Sequence, residues 1–304
     1  MALLKAISLN SSPRVASSES AGFLILVGTP IGNLSDISQR CVQALRDADI
    51  IAAEDTRRAR ALLSHLQISG KELLSIDANR EEQYLGKVQD LVRSGKKVAY
   101  TTDAGMPGIS DPGSKLVRAL AYSGLQVDAV PGPSAPVLAA ALSGLCDSGF
   151  LFTGFLSAKS GPRRKVLEKV ARCGFAIVVL ESPKRIGRLL EDATLVYGGG
   201  HPVFVGRELT KLHQDLYYGN IEEAAKHYGC SEVRGELVVV FGAQERRDES
   251  PARILDLVLE VLGDGASGTR ALAGELAEIT GIGRNEIYEK LVALRKNSVR
   301  ARES

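Results

Sequence analysis

Tyr100-Thr101-Thr102-Asp103-Ala104-Gly105-Met106-Pro107-Gly108-Ile109-Ser110-Asp111-Pro112-Gly113 is the stretch on which the fold turns. It follows the apolar run Lys97-Val98-Ala99-Tyr100, which reads as a buried strand. It precedes Ser114 to Tyr122, where Leu116, Val117, Leu120 and Ala121 recur at helical spacing. A strand ends, a long turn follows, and a helix begins. A plain connection of this kind needs only about 2–6 residues. Here three glycines and two prolines shape a longer turn and let a ligand approach the backbone. In an open α/β sheet, ligands sit outside the carboxyl ends of the strands. Asp103 stands at such an end, placed to accept from a hydroxyl or an amino group.

Working outward, the same pattern repeats. Gly22 to Val27 reads as a strand running into Gly28-Thr29-Pro30-Ile31-Gly32-Asn33, and Asp36 is the expected cap of a helix to about Ala48. Asp49 to Ala53 is a strand ending in Glu54-Asp55-Thr56-Arg57-Arg58, and a helix follows from Thr56 to about Leu66. Leu73 to Ile76 ends in Asp77-Ala78-Asn79-Arg80, and Glu81 to Arg93 is helical. Gln126 to Val130 closes in Pro131-Gly132-Pro133-Ser134-Ala135, with a small, apolar helix from Ser134 to Leu145. Strands alternating with helices predict a parallel, doubly wound sheet. The turns at Gly28, Glu54, Asp103 and Pro131 then share one sheet edge and can converge on one cleft.

The second half changes character. Phe150 to Leu156, Ala176 to Leu180, Pro202 to Val205 and Leu237 to Phe241 are strand-like, with helices at Pro162–Ala171 and Pro183–Leu195. From Lys159 to Arg188 there are nine Lys/Arg and two acids, Glu168 and Glu181, a density that favours phosphates. The whole chain carries only +2, so the charge is local. After the charged segment Gln244 to Pro251, helices are expected at Pro251–Leu262, Gly268–Ile279 and Asn285 to about Arg295 in a helix–turn–helix-like arrangement. The organisation read from the 304 residues is a Ser-rich, disordered leader over 1–20, an N-terminal α/β domain over 21–133, a second α/β domain over 134–245 and a helical domain over 246–304.

Several chemistries find no motif. Cys41, Cys146, Cys173 and Cys230 are scattered singly, which indicates reduced thiols in a cytoplasmic protein and neither zinc nor a disulfide framework. No apolar run approaches the length of a membrane helix. There is no G-x-G-x-x-G, and Gly113-Ser114-Lys115 inverts the Lys and hydroxyl order of a P-loop. Neither a Ser–His–Asp set nor a metal-spaced His pair is present.

The ordered motifs Val27 to Ile37, Ala53 to Arg57, Asp103 to Gly113, Pro131 to Ala135, Gly154-Phe155-Leu156, Glu181 to Arg185, Arg207 to Lys211 and Arg234-Gly235-Glu236 together resemble one family. It is the ribosomal RNA small subunit methyltransferase I group of the tetrapyrrole-methylase superfamily. The match runs from about residue 22 to the C-terminus. The resemblance implies two α/β domains with S-adenosylmethionine (SAM) in the cleft between them, and a homodimer. It also implies 2′-O-methylation of a cytidine in the decoding centre of 16S ribosomal RNA in the small ribosomal subunit, with neither membrane nor DNA as partner. Pro30, Asp103, Ala104, Gly105, Ile109, Ser134, Ala135, Leu180, Gly235 and Glu236 should surround SAM. Asn33, Arg57, Asn79, Arg185 and Lys211 are polar residues of matching motifs that could orient RNA, while Arg163, Arg164 and Lys165 belong to the basic span. Asp55 or Glu208 is the candidate base, although Asp55 and Arg57 could equally pair with one another. The pattern departs at Ala78, Thr102, Met106 and Lys184, where His, Ser, Thr and His are common.

Three other readings share parts of this sequence. A tetrapyrrole methylase shares the architecture but has little use for the basic span. A non-catalytic RNA-binding assembly factor keeps that span and loses SAM. A DNA-binding regulator would rely on the C-terminal helices.

Overall fold

A computed structural model describes residues 22–229, 233–244, 273–274, 277 and 283–300, with side chains to residue 292. The expected leader, Cys230, the helix at Pro251–Leu262 and most of that at Gly268–Ile279 lie outside the described residues.

The chain begins with β1 (Phe23–Val27), α1 (Gln39–Asp47), β2 (Ile50–Ala53), α2 (Thr56–His65), β3 (Glu72–Ser75), α3 (Glu81–Arg93), β4 (Lys97–Thr101), α4 (Ser114–Tyr122) and β5 (Gln126–Val130). These strands form one sheet in the order β3-β2-β4-β1-β5, parallel at each pairing. Alternation along each strand sends side chains to opposite faces. Leu24, Ile50, Ala52, Val98 and Tyr100 pack with Val88 and Val92 of α3 and Leu116 and Leu120 of α4. Val27, Ile51 and Ala99 pack with Cys41 and Leu45 of α1 and Leu63 of α2. The sheet is doubly wound, as its sequence predicts.

The second sheet is built from β6 (Phe150–Phe155), β7 (Ala176–Glu181), β8 (Pro202–Arg207), β9 (Asp215–Asn220) and β10 (Leu237–Phe241), ordered β6-β7-β10-β8-β9. Only β6 and β7 run parallel; β10 is antiparallel to both β7 and β8, and β9 to β8. Helices α6 (Ser160–Ala171), α7 (Ile186–Tyr197) and α8 (Ile221–Gly229) cover one face, where Leu167, Leu189, Leu190 and Ala224 meet Ile177, Val205 and Val239. Helix α5 (Ala135–Ser143) covers the other, through Ala139 and Ala140 against Val178, Phe204 and Val240. The 133/134 boundary expected from sequence thus falls just before the helix that packs on the second sheet. Both sheets lie in a compact unit ending at Gln244. A second unit holds α9 (Arg284–Arg300), whose Ile287 and Leu291, one turn apart, are buried.

Three local readings need correction. Ser38, not Asp36, caps α1, its hydroxyl accepting from the Cys41 amide at 3.1 Å. Asp36 lies in a short 3-10 turn, capped by Asn33. The helix expected to start at Pro183 begins at Ile186. Strand β9 and helix α8 had no counterpart in the expectations.

Candidate active site

The parallel sheet delivers its loops to one edge, and glycines weld them there. The loops after β1 and β5 touch backbone to backbone: a Cβ on Gly28 would sit 2.6 Å from the Gly132 Cα. The loops after β1 and β4 form an antiparallel bridge, with Thr29 N–H donating to the Gly105 carbonyl at 2.9 Å and Gly105 N–H to that of Thr29 at 3.1 Å. Gly105 has φ +80°, open to glycine at little cost. Met106 fits this weld, its sulfur accepting from Gly132 N–H at 3.3 Å. The far end of the loop is held by Glu81, 3% exposed, whose Oε1 accepts from the amides of Gly113, Lys115 and Leu116 at 3.0, 2.8 and 3.0 Å. Glu81 thereby does for α4 what its N-cap residue, Gly113, has no side chain to do.

From the second sheet come the carboxyl ends of β7 and β8 and the start of β10, adjacent because Leu237 pairs with both Glu181 and Arg207. Loop 208–214 reaches the first sheet's loops, where Asn33 N–H donates to the Thr210 hydroxyl at 3.2 Å. Glu208 holds φ +50° and Thr210 φ +68°, both uncommon for residues with a side chain.

Between these loops lies a cavity of about 470 Å³. Its lining includes Asp103, Ala104, Gly105, Ile109, Ser134, Ala135, Leu180, Gly235 and Glu236, nine of the ten residues expected around a cofactor. Pro30 instead lines a neighbouring cavity of about 230 Å³. Glu54, Arg58 and Asp103 line both. Arg58 Nε stands 3.3 Å from Asp103. Glu54, Arg58 and Asp111, which lie in turns that the sequence places at this edge but carry no expected role there, join the site, the first two flanking Asp55 and Arg57.

Electrostatics separate the carboxylates. Burial raises Asp111 to a pKa of about 6, helped by the charges of Glu54 and Asp103. Glu54 is raised too, by burial first. Asp55 is held well below the usual range by Arg57, whose Nη2 lies 2.6 Å from it, and it caps α2 by accepting the Arg57 amide at 2.8 Å. For Glu208, burial works upward, but the Glu236 amide and the Lys211 ammonium outweigh it and the net shift is downward. Lys211 Nζ sits 2.9 Å from both Glu208 and Glu236. Among the described residues, no group of three or more His, Cys, Asp or Glu is arranged to hold a metal ion.

The expected substrate contacts divide. Asn33, Arg57 and Asn79 are exposed near the strand ends. Arg163 is a correction: it is 2% exposed, bonded to Asp192 at 2.7 and 2.6 Å and to the carbonyls of Ser157, Ala158 and Arg188, so RNA cannot reach it. Arg164 leans toward the same Asp192 at 3.9 Å. Arg185 pairs with the buried Glu181 at 3.1 Å and donates to the Leu156 carbonyl, which makes it a brace. Lys159, Lys165, Lys169, Arg172, Lys184 and Arg188 remain exposed. Lys165, Lys169 and Arg172 follow one face at helical spacing.

The model of the Tetrapyrrole (Corrin/Porphyrin) Methylases matches residues 24–225. The ribosomal RNA small subunit methyltransferase I of Thermotoga maritima is 44% identical over 224 residues, 74% of this chain and 100% of that one. Its counterpart in Synechocystis sp. is 36% identical over 274 residues, 88% and 96% of the two chains. Among solved structures, diphthine synthase aligns with a TM-score of 0.58 at 15% identity, covering 73% of this chain and 90% of its own. A cobalt precorrin-4 methyltransferase aligns at 0.56 and 18%, covering 72% and 94%. These two bear on the fold alone, and they agree with its two-sheet α/β architecture. By sequence and by fold, the chain belongs to the ribosomal RNA small subunit methyltransferase I family of the tetrapyrrole methylases.

Proposed function

We propose that this protein transfers a methyl group from SAM to the ribose 2′-oxygen of a cytidine in 16S ribosomal RNA. Membership of the family makes it a SAM-dependent rRNA methyltransferase; the nucleotide and the atom are the proposal. The observation that carries it is the gathering of nine of the ten residues expected around the cofactor, from both sheets, around one cavity. Its size lies within the range of small-molecule sites. Asp103 suits a cofactor ammonium or hydroxyl, and Ile109, Ala135 and Leu180 suit a flat apolar ring.

Bound SAM supplies an electrophilic methyl on a sulfonium whose thioether leaves neutral, so the protein's task is positioning and removal of the hydroxyl proton. Asp55 and Glu208, both held below the ordinary carboxylate range, are poor bases. Asp111 lines the cavity and is ionised at neutral pH while retaining basicity, and we assign it the proton. The RNA backbone is assigned to the face of Lys165, Lys169 and Arg172. The working form is taken as a cytoplasmic homodimer; among the described residues, no helix is long and apolar enough to cross a membrane.

Labelled SAM and RNA from a strain lacking the enzyme supply the test. The product should show one new alkali-resistant linkage at a cytidine, because 2′-O-methylation removes the nucleophile of alkaline cleavage. A label that travels with the nucleobase would sink the ribose assignment. Transfer should fall steeply with salt, and less steeply once Lys165 and Lys169 are changed to Ala. Light scattering that finds a monomer would remove the dimer.

A further inference from the structure

Of the ten residues expected around the cofactor, only Pro30 and Asp103 line the 230 Å³ cavity. It opens at the carboxyl ends of β1, β2 and β4 and meets the larger cavity at Glu54, Arg58 and Asp103. We infer that it is a pocket for the base of the target nucleotide, a flipped-out cytosine held edge-on by Glu54, Arg58 and Thr102. This rests on the ribose-methylation reading above.

Position is the first argument. A base seated here puts its own ribose at the three shared residues, where the 2′-oxygen faces the larger cavity and Asp111. An enzyme acting on one nucleotide of a structured RNA has to take it out of the stack and give the base somewhere to go. The second argument is size and lining. The volume is below the range of about 300–1,000 Å³ typical of whole small-molecule sites, which suits one ring. Pro30, Leu34, Ala59 and Leu62 give apolar walls, and no aromatic side chain lines it. The base is therefore held by its edge and by apolar contact, not by a stack of rings.

The third argument is an unmet hydrogen bond. Thr102 is 5% exposed and lines this cavity; its hydroxyl has no hydrogen-bond partner within 3.5 Å and makes only a longer contact toward the Asp111 carboxyl, whose pKa it lowers, so it is open to a better acceptor at close range. Buried polar groups without partners are rare. Its neighbour Thr29 is satisfied, donating to the Thr102 carbonyl at 3.2 Å. A cytosine edge offers an amine donor and two acceptors, the ring nitrogen and the carbonyl. A carboxylate such as Glu54 accepts from that amine, and Thr102 and Arg58 donate to the acceptors. Uracil reverses two of the three positions, placing an oxygen before the carboxylate, so the pocket selects against it.

Calorimetric titration of the full chain with cytidine, uridine and adenosine 5′-monophosphates tests this, alongside a SAM titration. The cytidine nucleotide should bind at least about fivefold more tightly than the uridine one, the lower end of what a good edge contact gives. Ala61→Trp places bulk at an exposed position of the lining, where the fold tolerates it, and should abolish nucleotide binding while leaving SAM affinity unaltered. Thr102→Val keeps the shape, removes the hydroxyl, and should weaken cytidine nucleotide binding about tenfold. Equal binding of the three nucleotides, or binding that survives Ala61→Trp, overturns the pocket. Loss of SAM in Ala61→Trp also overturns it, by assigning the cavity to the cofactor. Failure of the cofactor reading looks different: the native protein binds the cytidine nucleotide but not SAM.

Discussion

The two sheets supply the same cavity under different rules. In the first, the strands run parallel, so each carboxyl end lies on one edge and each loop there is a possible contributor. In the second, β10 runs against β7 and β8, so the same edge collects the ends of two strands and the beginning of a third. A parallel sheet thus keeps its chemistry in one kind of place, after strands, while its body supplies packing. A mixed sheet spreads contributors to both ends of its strands, and residues beside the site have to double as braces. Arg163 and Arg185 show this: both lie in a basic span, and both are tied to buried carboxylates, Asp192 and Glu181. Substitutions in the first sheet's loops should therefore alter binding and chemistry. Those at Arg163 and Arg185, the tied arginines of the second, should alter stability first.

The largest expected effect is Arg163→Ala. Removing one partner of a buried ion pair leaves the Asp192 charge with only the Ser160 hydroxyl at 2.7 Å and Arg164 at 3.9 Å, which costs about 3 kcal/mol of folding stability, the low end for such a loss. Urea unfolding should show the lower midpoint, and SAM affinity should be unaltered at temperatures where the variant is folded. A stable variant that has lost only RNA binding would restore Arg163 as a contact and break the contrast between the sheets.

Next is Asp111→Asn, on the parallel side. General-base catalysis contributes at least about 100-fold, so transfer should fall by that much with SAM binding retained. In the native enzyme, transfer should rise with pH through about 6 and flatten above it. The stability sign runs the other way. A carboxylate whose pKa is raised from 3.8 to about 6 disfavours the fold once ionised. Asp111→Asn should therefore stabilise the protein at neutral pH, and the gain should fade as pH falls from about 6 toward 4. A gain that grows on acidification would mean that burial does not govern this group.

What was legible in the sequence follows from the same contrast. Helices α3 and α4 and strand β5 sit where periodicity and turn residues put them, because local pattern and tertiary packing agree there. The converging turns were legible because a parallel sheet permits only one edge for them. Glu81 was not, since its three acceptor bonds reach residues more than thirty positions away. Nor was Arg163, because its carboxylate, Asp192, lies on the next helix, just beyond the span whose charge was counted. Strand β9 is not legible because it is an edge strand with only Leu216, Tyr217, Tyr218 and Gly219 between the polar Asp215 and Asn220. Asp55 and Arg57 drew attention as charges in a motif, but the residues that line both cavities are their neighbours, Glu54 and Arg58.

A smaller effect is expected at Asp103. Its carboxylate meets Arg58 at 3.3 Å and lines both cavities. Asp103→Ala should weaken SAM about tenfold, roughly 1.4 kcal/mol, with little change in the unfolding midpoint. Unaltered affinity in a folded variant would remove the cofactor from this loop.

The smallest effect, and the closest control for Arg163→Ala, is Arg57→Ala. Both arginines pair with an aspartate at 2.6 Å, so geometry alone predicts equal consequences. Their surroundings differ. Arg57 has 85% of its side chain exposed and Arg163 has 2%. Around Arg57, water and salt already screen both charges and rehydrate whichever one is left behind. The bond by which Asp55 caps α2 comes from the backbone of residue 57, so alanine keeps it. The unfolding midpoint should consequently be indistinguishable from that of the native chain. The Asp55 carboxyl, followed by NMR through an acid titration, should rise toward the ordinary range, because its largest perturbation is the bond from the Arg57 side chain. If Arg57→Ala instead unfolds as readily as Arg163→Ala, exposure is not what separates the two pairs. The division between a binding edge in the first sheet and a braced span in the second would then have to be redrawn.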